Sequence, residues 1–397
     1  MIVKREDYLK KLRTLRNSDL IKVVTGVRRC GKSTLLRLYR DELLTEKGLE
    51  KCVQYIDFEK PDNILDGNWR NIYDKIMKSV VKNRKNYIFL DEVQYIDDFE
   101  RLLVGLQADD DIDLYVTGSN ARMLSSELAT LLSGRSFEIK MLPLSFSEYM
   151  EVNNETAKPI DELFQDYLSF GGFPQVATIN NSDPVFVDTY ISGIYETVVG
   201  RDIMNRGLVS DKEALNSVMK YLLDNIGNPV SISGIADTLK MSREKIDKII
   251  EALTASFLFY PVNRFDVKGK EILKTQQKYY VVDTGLRWAL LGRDVEIDRG
   301  HTLENIVFLE LLRRGNKVTI GKVRDKEMDF VARDSNGMTA YYQVAWTLND
   351  PKTVEREMKP FRMAQDFNHR FLITADYGEF SRDGVQQINI IKWLTER

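Results

Sequence analysis

Residues 26–33 read Gly-Val-Arg-Arg-Cys-Gly-Lys-Ser, and Thr34 follows. Glycines at both ends of such a run let the backbone turn its N–H groups inward, where they bind an anion. Lys32 adds a point charge for the β- and γ-phosphates of a nucleotide, and Ser33 adds a hydroxyl for Mg²⁺. Gly26, Val27, Arg28, Arg29, Cys30, Gly31, Lys32, Ser33 and Thr34 are the candidate phosphate-binding residues, Cys30 through its amide and not its sulfur. A second set of groups ends the apolar run "YIFLDEVQ". Asp91, at the end of that strand, would hold Mg²⁺ together with Ser33. Glu92 would polarise an attacking water. A third run, "DLYVTGSNA", starts at Asp113 and ends in Ser119-Asn120. The Asn120 amide at that point can reach between the γ-phosphate and the water. Arg135 follows in "SGRSF" and reads equally as an arginine finger towards a neighbouring subunit or as a surface side chain. The chemistry these residues suit is transfer of the γ-phosphoryl group of ATP to water.

Such groups need elements to hold them. Leu20 to Gly26 reads as a buried strand entering the loop. "STLLRLYRDELL" reads as an amphipathic helix leaving it, its positive dipole end towards the phosphates. Further along, the pattern predicts a strand over Lys51–Phe58, a helix over Asn71–Lys82, the Asp91 strand, a helix and the strand ending at Gly118. A helix over Ser125–Leu132 and a strand from Ser136 close the series. Strands and helices in alternation give a parallel sheet covered on both faces.

On "GVRRCGKST", "YIFLDEVQ", "YVTGSNARML", "LLSGRSFEIKMLPLSFSEY" and "YLSFGGFPQV", the chain resembles the AAA+ P-loop ATPases. It is most similar to prokaryotic proteins that join an AAA domain (AAA_14) to a DUF4143 carboxy-terminal region. The resemblance spans essentially the whole chain. It implies ATP and Mg²⁺ as cofactors, an AAA+ core over residues 1–141 and a helical lid over 142–206. It also implies a tendency to form homo-oligomers. Arg201 is the lid residue that could turn towards the γ-phosphate.

Beyond the lid the sequence changes character. "KEALNSVMKYLLDNIG", "SISGIADTLKM" and "SREKIDKIIEALTASFLFYPV" read as three helices, and "RFDVKGKEILKTQQKYYVVD" as a hairpin turning at Lys268-Gly269. Three helices and a hairpin form a winged-helix pattern, placed at 207–285. Asp211–Asp283 holds 11 basic and 10 acidic residues, a net of +1 and a weak footprint for a DNA reader. Residues 286–397 resemble the PD-(D/E)XK nuclease fold, with Glu304 and Asp329 at its acidic positions. The third element reads Gln343-Val344-Ala345, where active members carry Glu-x-Lys. The resemblance therefore implies the shape without the reaction. "INIIKWL" reads as an edge strand.

Composition narrows the classes. The 397 residues carry 57 basic and 60 acidic side chains, which argues against a general polyanion binder. Two histidines and two cysteines make a structural zinc site or a disulfide framework improbable. No apolar run approaches ~18 residues, and the charged start "MIVKREDYLKKL" has no signal-peptide core, so a cytoplasmic protein without a membrane partner is expected. The expected function is a Mg²⁺-dependent ATPase whose hydrolysis moves the carboxy-terminal modules, on DNA or on a protein partner. The alternatives are a nucleotide-gated switch with little turnover and an ATP-dependent nuclease.

Overall fold

Strands with no polar face need cover on both sides. In the computed structural model, β1 (Ile21–Thr25), β2 (Val53–Asp57), β3 (Asn86–Asp91), β4 (Ile112–Gly118) and β5 (Ser136–Lys140) form one sheet in the order β2-β3-β4-β1-β5. Every pairing in it is parallel. β1, β3 and β4 are buried along their whole length, while β2 and β5, at the edges, are partly exposed. The helix Lys32–Leu44 turns Leu35, Leu36, Tyr39 and Leu43 inwards, the spacing of one helical face. On the helices Trp69–Lys78 and Phe99–Gln107, Ile72, Ile76, Leu102, Leu103 and Leu106 join Ile88 and Leu90 of β3 in one core cluster.

The structure describes residues 2–64, 68–119, 134–179, 183–293, 298–364, 366–378 and 381–396. Asn120 and the helix expected at Ser125–Leu132 lie outside them. The chain divides into two compact units, Met1–Pro143 with Ala255–Phe257, and Leu144–Thr254 with Leu258–Arg397. The first sheet lies wholly in the first unit.

The second unit opens on a capping box. Ser145 Oγ accepts from Glu148 N at 3.1 Å, and Glu148 Oε2 accepts from Ser145 N at 2.8 Å, which starts the helix Phe146–Val152. Ile160–Phe170 follows and ends at Gly171, whose φ is 76°. A Cβ there would stand 1.8 Å from Asp283 Oδ1, so only glycine fits. Asp283 in turn accepts from Gly172 N at 2.7 Å and Gly285 N at 2.9 Å. The helix Pro184–Thr197 runs on into a π-helical stretch, Val198–Met204. Helices Lys212–Asp224, Ile232–Leu239 and Arg243–Ala255 come next, the first two capped by Asp211 and Ser231.

The hairpin expected after them is present, as β6 (Phe259–Asp266) and β7 (Glu271–Val281). It does not stand apart. β8 (Lys317–Val323), β9 (Lys326–Arg333), β10 (Thr339–Ala345), β11 (His369–Thr374), β12 (Ser381–Arg382) and β13 (Val385–Asn389) join it in one eight-stranded sheet, ordered β12-β13-β11-β10-β9-β8-β6-β7. β6 pairs with β8 through Arg264–Asp266, so the sheet crosses the boundary drawn at 285/286. A hairpin has two edges, and the sequence showed no partner for the outer one. The segment "INIIKWL" also differs from expectation. β13 ends at Asn389, whose side chain caps the helix Ile390–Thr395, and β12 is the outermost strand.

Candidate functional site

The phosphate-loop residues and Asp91 meet at the carboxy-terminal rim of the first sheet. β4 lies between β1 and β3, and register places Thr25 beside Gly118 and Leu90 beside Val116. Thr117 therefore stands between the loop and the acids. Its hydroxyl donates to Asp91 Oδ1 at 2.5 Å and accepts from Glu92 N at 2.8 Å.

The loop is shaped by backbone that few side chains tolerate. Gly26, Arg29 and Gly31 have φ of 149°, 70° and 108°. A Cβ on Gly26 would come within 2.2 Å of Met141 O. Val27 and Arg28 are buried, Arg29 is exposed, and Ser33 and Thr34 are half-buried. The N–H of Cys30 donates to Val27 O at 3.3 Å, inside the loop. The thiol is fully buried, and burial pushes its pKa up, away from the thiolate. Arg28 donates to Glu59 Oε1 at 2.8 Å and Tyr95 OH at 3.1 Å. Arg5 donates to Cys30 O at 3.2 Å and Leu142 O at 2.8 Å, which fixes the loop from behind.

Asp91 is 1 % exposed, and three hydroxyls converge on it. Ser33 Oγ lies 3.0 Å from Oδ1, Thr117 shares that oxygen, and Tyr55 OH donates to Oδ2 at 2.6 Å. Burial pushes the Asp91 pKa up, Thr117, Tyr55 and Ser33 pull it down, and the net shift is upward. Glu92 has φ 56° and ψ 53°, a left-handed turn that swings its side chain off the strand line. Glu92 Oε1 is 3.4 Å from Lys32 Nζ, and Gln94 Nε2 donates to Oε2. Burial works to raise the Glu92 pKa, but Lys32 and Gln94 outweigh it, and the carboxylate is held below its usual range. Burial works to lower Lys32, and Glu92 turns the shift upward. An ionised pair results.

Arg135 stands at the other end of the sheet. Its carbonyl accepts from Ile21 N at 2.8 Å, at the start of β1, and its side chain is exposed. Five residues of strand separate it from the loop, about 16 Å. Any contact with phosphate would have to be made on another copy of the chain. Tyr55, Thr117, Gln94 and Arg5 were not singled out from sequence. Gln94 had a signal, since it closes the run "DEVQ"; Tyr55 had only its place two residues before the end of β2.

Glu304, Asp329 and Gln343 also come together, in the second unit. Lys278 Nζ of β7 lies 3.0 Å from Glu304 Oε1 and 2.7 Å from Glu327 Oε1. Tyr280 OH donates to Glu304 Oε1 at 2.5 Å. Gln343 accepts from Asp329 N at 2.6 Å and donates to Glu357 Oε2 at 2.7 Å. Val344 N donates to Asp329 Oδ2 at 2.8 Å. Desolvation and Glu304 raise the Asp329 pKa well above the carboxylate range. Lys278, from β7, is thus a cation of this cluster. Among the described residues, no group of three or more His, Cys, Asp or Glu could hold a metal ion.

Residues 18–150 match the family described as AAA domain (AAA_14), and residues 161–296 match a domain of unknown function, DUF8612, rather than the DUF4143 region expected. An uncharacterized protein of Haemophilus influenzae is 36 % identical over 404 aligned residues, covering 100 % of this chain and 99 % of its own. An uncharacterized protein of Methanocaldococcus jannaschii is 30 % identical, covering 87 % of this chain and 78 % of its own. A Walker-type ATPase of Pyrococcus abyssi, of known structure, is 18 % identical with a TM-score of 0.48 over 73 % of this chain and 96 % of its own. Among the described residues, no helix is long and apolar enough to cross a membrane.

Proposed function

This chain belongs to the family of the H. influenzae and M. jannaschii proteins, with an AAA domain at residues 18–150, and from that premise we propose that its first unit is a Mg²⁺-dependent ATP hydrolase. One observation carries the reading. Ser33 stands 3.0 Å from Asp91 and Lys32 stands 3.4 Å from Glu92, side by side at the rim of a parallel sheet. The loop of Gly26–Thr34 binds the phosphates, and Lys32 turns its charge to the β- and γ-phosphates. Ser33 and Asp91 are hard oxygen donors and suit a cation that takes most of its ligands from phosphate and water. When bound, Mg²⁺ would offset charge on the departing ADP. Glu92, ionised and fixed by its neighbours, takes the proton of the attacking water.

The second unit supports two further proposals. The helices Lys212–Asp224, Ile232–Leu239 and Arg243–Ala255 with the β6–β7 hairpin suit a winged helix, and hydrolysis would work through it on DNA or a protein partner. Glu304 and Asp329 suit a nuclease-like fold without its reaction, because Gln343 and Lys278 are spent within the cluster.

The test is phosphate release with and without DNA, beside calorimetry with ATPγS and mass measurement with and without nucleotide. Wild type is expected to bind and turn over. Glu92→Gln is expected to bind equally and lose on the order of 10²–10⁴-fold in kcat. Unchanged turnover in that variant removes Glu92 as the base. Absence of any heat with wild type removes the hydrolase. A single burst of phosphate without steady release would favour the switch reading instead.

A further inference from the structure

β6 and β8 run parallel and side by side, with Asp266 beside Lys322. Both strands therefore finish at one end of the eight-stranded sheet, and the turns that follow them leave it together. The first turn, 267–270, is pinned by its own backbone. Asp266 O accepts from Lys270 N at 2.7 Å, and Asp266 Oδ1 accepts from Lys268 N at 2.9 Å and Gly269 N at 2.8 Å. Val267 N donates to Lys322 O at 3.0 Å, which fastens this turn to β8. The second turn is Arg324-Asp325, between the paired residues Val323 and Lys326.

Adjacent strands lie about 4.8 Å apart, so the two turns are within the ~8 Å over which charges reinforce one another at physiological salt. Lys268, Lys270 and Arg324 are exposed and Lys322 is half-buried. Among the described residues none of these four is in an ion pair, whereas Lys326 meets Asp325 at 3.3 Å. Glu327, opposite Lys322 in the register, is held by Lys278 at 2.7 Å. The Gly269 N–H holds the Asp266 carboxyl below its usual range, and the charges of Lys322 and Lys268 add to this. Lys359 reaches Asp325 in the same way from the helix Pro351–Met363. Six cations thus crowd this end of the sheet against Asp266, Glu271 and Asp325. The helix Arg243–Ala255 is the opposite case. It spends Lys245 on Asp211 at 2.7 Å and Lys248 on Glu244 at 2.8 Å, and it exposes Asp247 and Glu251 as well. The near-neutral count over Asp211–Asp283 hid the patch, because Lys322 and Arg324 belong to a later hairpin.

We propose that this end of the sheet binds duplex DNA through its phosphates, with the two turns and not the helix Arg243–Ala255 as the contact. The inference deepens the DNA alternative given above and does not depend on ATP hydrolysis. Duplex DNA suits two pinned turns because it is stiff and carries one charge per about 1.7 Å. Phosphate contacts of this kind position a protein without reading sequence. An anionic membrane is a poorer match, since among the described residues Ile272 is the one large exposed apolar side chain beside the turns.

The test is fluorescence anisotropy of a labelled DNA duplex with the full chain, between about 50 and 200 mM KCl. Four phosphate contacts give log affinity against log salt a slope of about −3 to −4. Lys268→Gln with Lys270→Gln, and Lys322→Gln with Arg324→Gln, remove two contacts each. Either pair is expected to weaken binding by about 10–100-fold and to flatten the slope by about two. Lys268→Arg with Lys270→Arg keeps the charge and should bind within about two-fold of wild type, as should Arg243→Gln with Lys248→Gln. ATPγS affinity and the urea midpoint should match wild type throughout. Undiminished affinity in either glutamine pair of the turns, or a larger loss in the Arg243 pair, overturns the inference while DNA binding stands. So does a loss that the arginine pair shares, because the shape of the turn would then be responsible. A wild type that binds no duplex at about 50 mM salt overturns it together with the DNA alternative and leaves the hydrolase standing. Binding to phosphatidylserine vesicles with none to DNA does the same and assigns the patch to a membrane.

Discussion

Lys32 and Lys278 are both buried against carboxylates, at 3 % and 2 % exposure, and the two surroundings differ in how tightly they hold the ammonium. Lys278 lies within a strand and meets Glu327 at 2.7 Å and Glu304 at 3.0 Å. These are near the lengths of strong charge-assisted bonds. Lys32 follows a loop at a strand end and meets Gly26 O at 3.1 Å, Val27 O at 3.4 Å and Glu92 at 3.4 Å. Every one of these contacts is longer. The same contrast holds for the amides. Gln343 spends both ends on Asp329 and Glu357, whereas Gln94 keeps an oxygen unbonded. A buried polar group that its neighbours satisfy fully works as a brace. One held loosely, at the rim where strands end, is available to a ligand.

The contrast can be broken by exchanging the same substitution between the two lysines. Lys278→Met leaves Glu304 without its cation and Glu327 with Arg264 at 3.9 Å, and removal of one partner of a buried pair costs about 3–5 kcal/mol. Urea unfolding should show that loss, with ATPγS affinity unchanged. A midpoint equal to wild type would mean the cluster is not a brace.

Asp283 sharpens the comparison, because its carboxylate meets two backbone amides and, among the described residues, no cation. Burial pushes its pKa up to about 7, and the Gly172 and Gly285 amides pull it only partly back. The unfolded value is about 3.9. A carboxyl raised in the folded state stabilises fully below the unfolded value and loses that contribution as pH rises through the folded one. The unit should therefore lose up to about 4 kcal/mol between roughly pH 4 and 7. Asp283→Asn should flatten this part of the urea midpoint against pH; an unaltered slope would show that another group carries it.

Lys32→Met should weaken ATPγS binding by at least about 10–100-fold, the worth of one or more charge-assisted bonds. Stability should change far less than in Lys278→Met. Calorimetry and urea unfolding on the two variants decide the point. The smallest effect belongs to the helix start at Ser145. Ser145→Ala should cost about 1 kcal/mol by loss of the cap, without altering nucleotide affinity.

Much of the first unit was legible because its signals are local. The loop residues, Asp91 and Glu92 announce themselves by type and spacing, and the strand and helix order follows from periodicity. Boundaries shifted slightly, as at the helix expected over Asn71–Lys82 and found over Trp69–Lys78. The second unit was less legible. Its helices carry their caps in the sequence, as at Asp211 and Ser231. The pairing of β6 with β8 joins residues far apart in the chain and has no local mark.

The sequence alone determined which groups could meet a phosphate and where strands end, because glycine, lysine and carboxylate at fixed spacing constrain their own backbone. Only the tertiary structure decided that Thr117 stands between loop and acid, that Tyr55 reaches Asp91, and that Lys278 comes to Glu304. Those meetings depend on strand order and register, which are set by packing over the whole sheet and by no single stretch of residues.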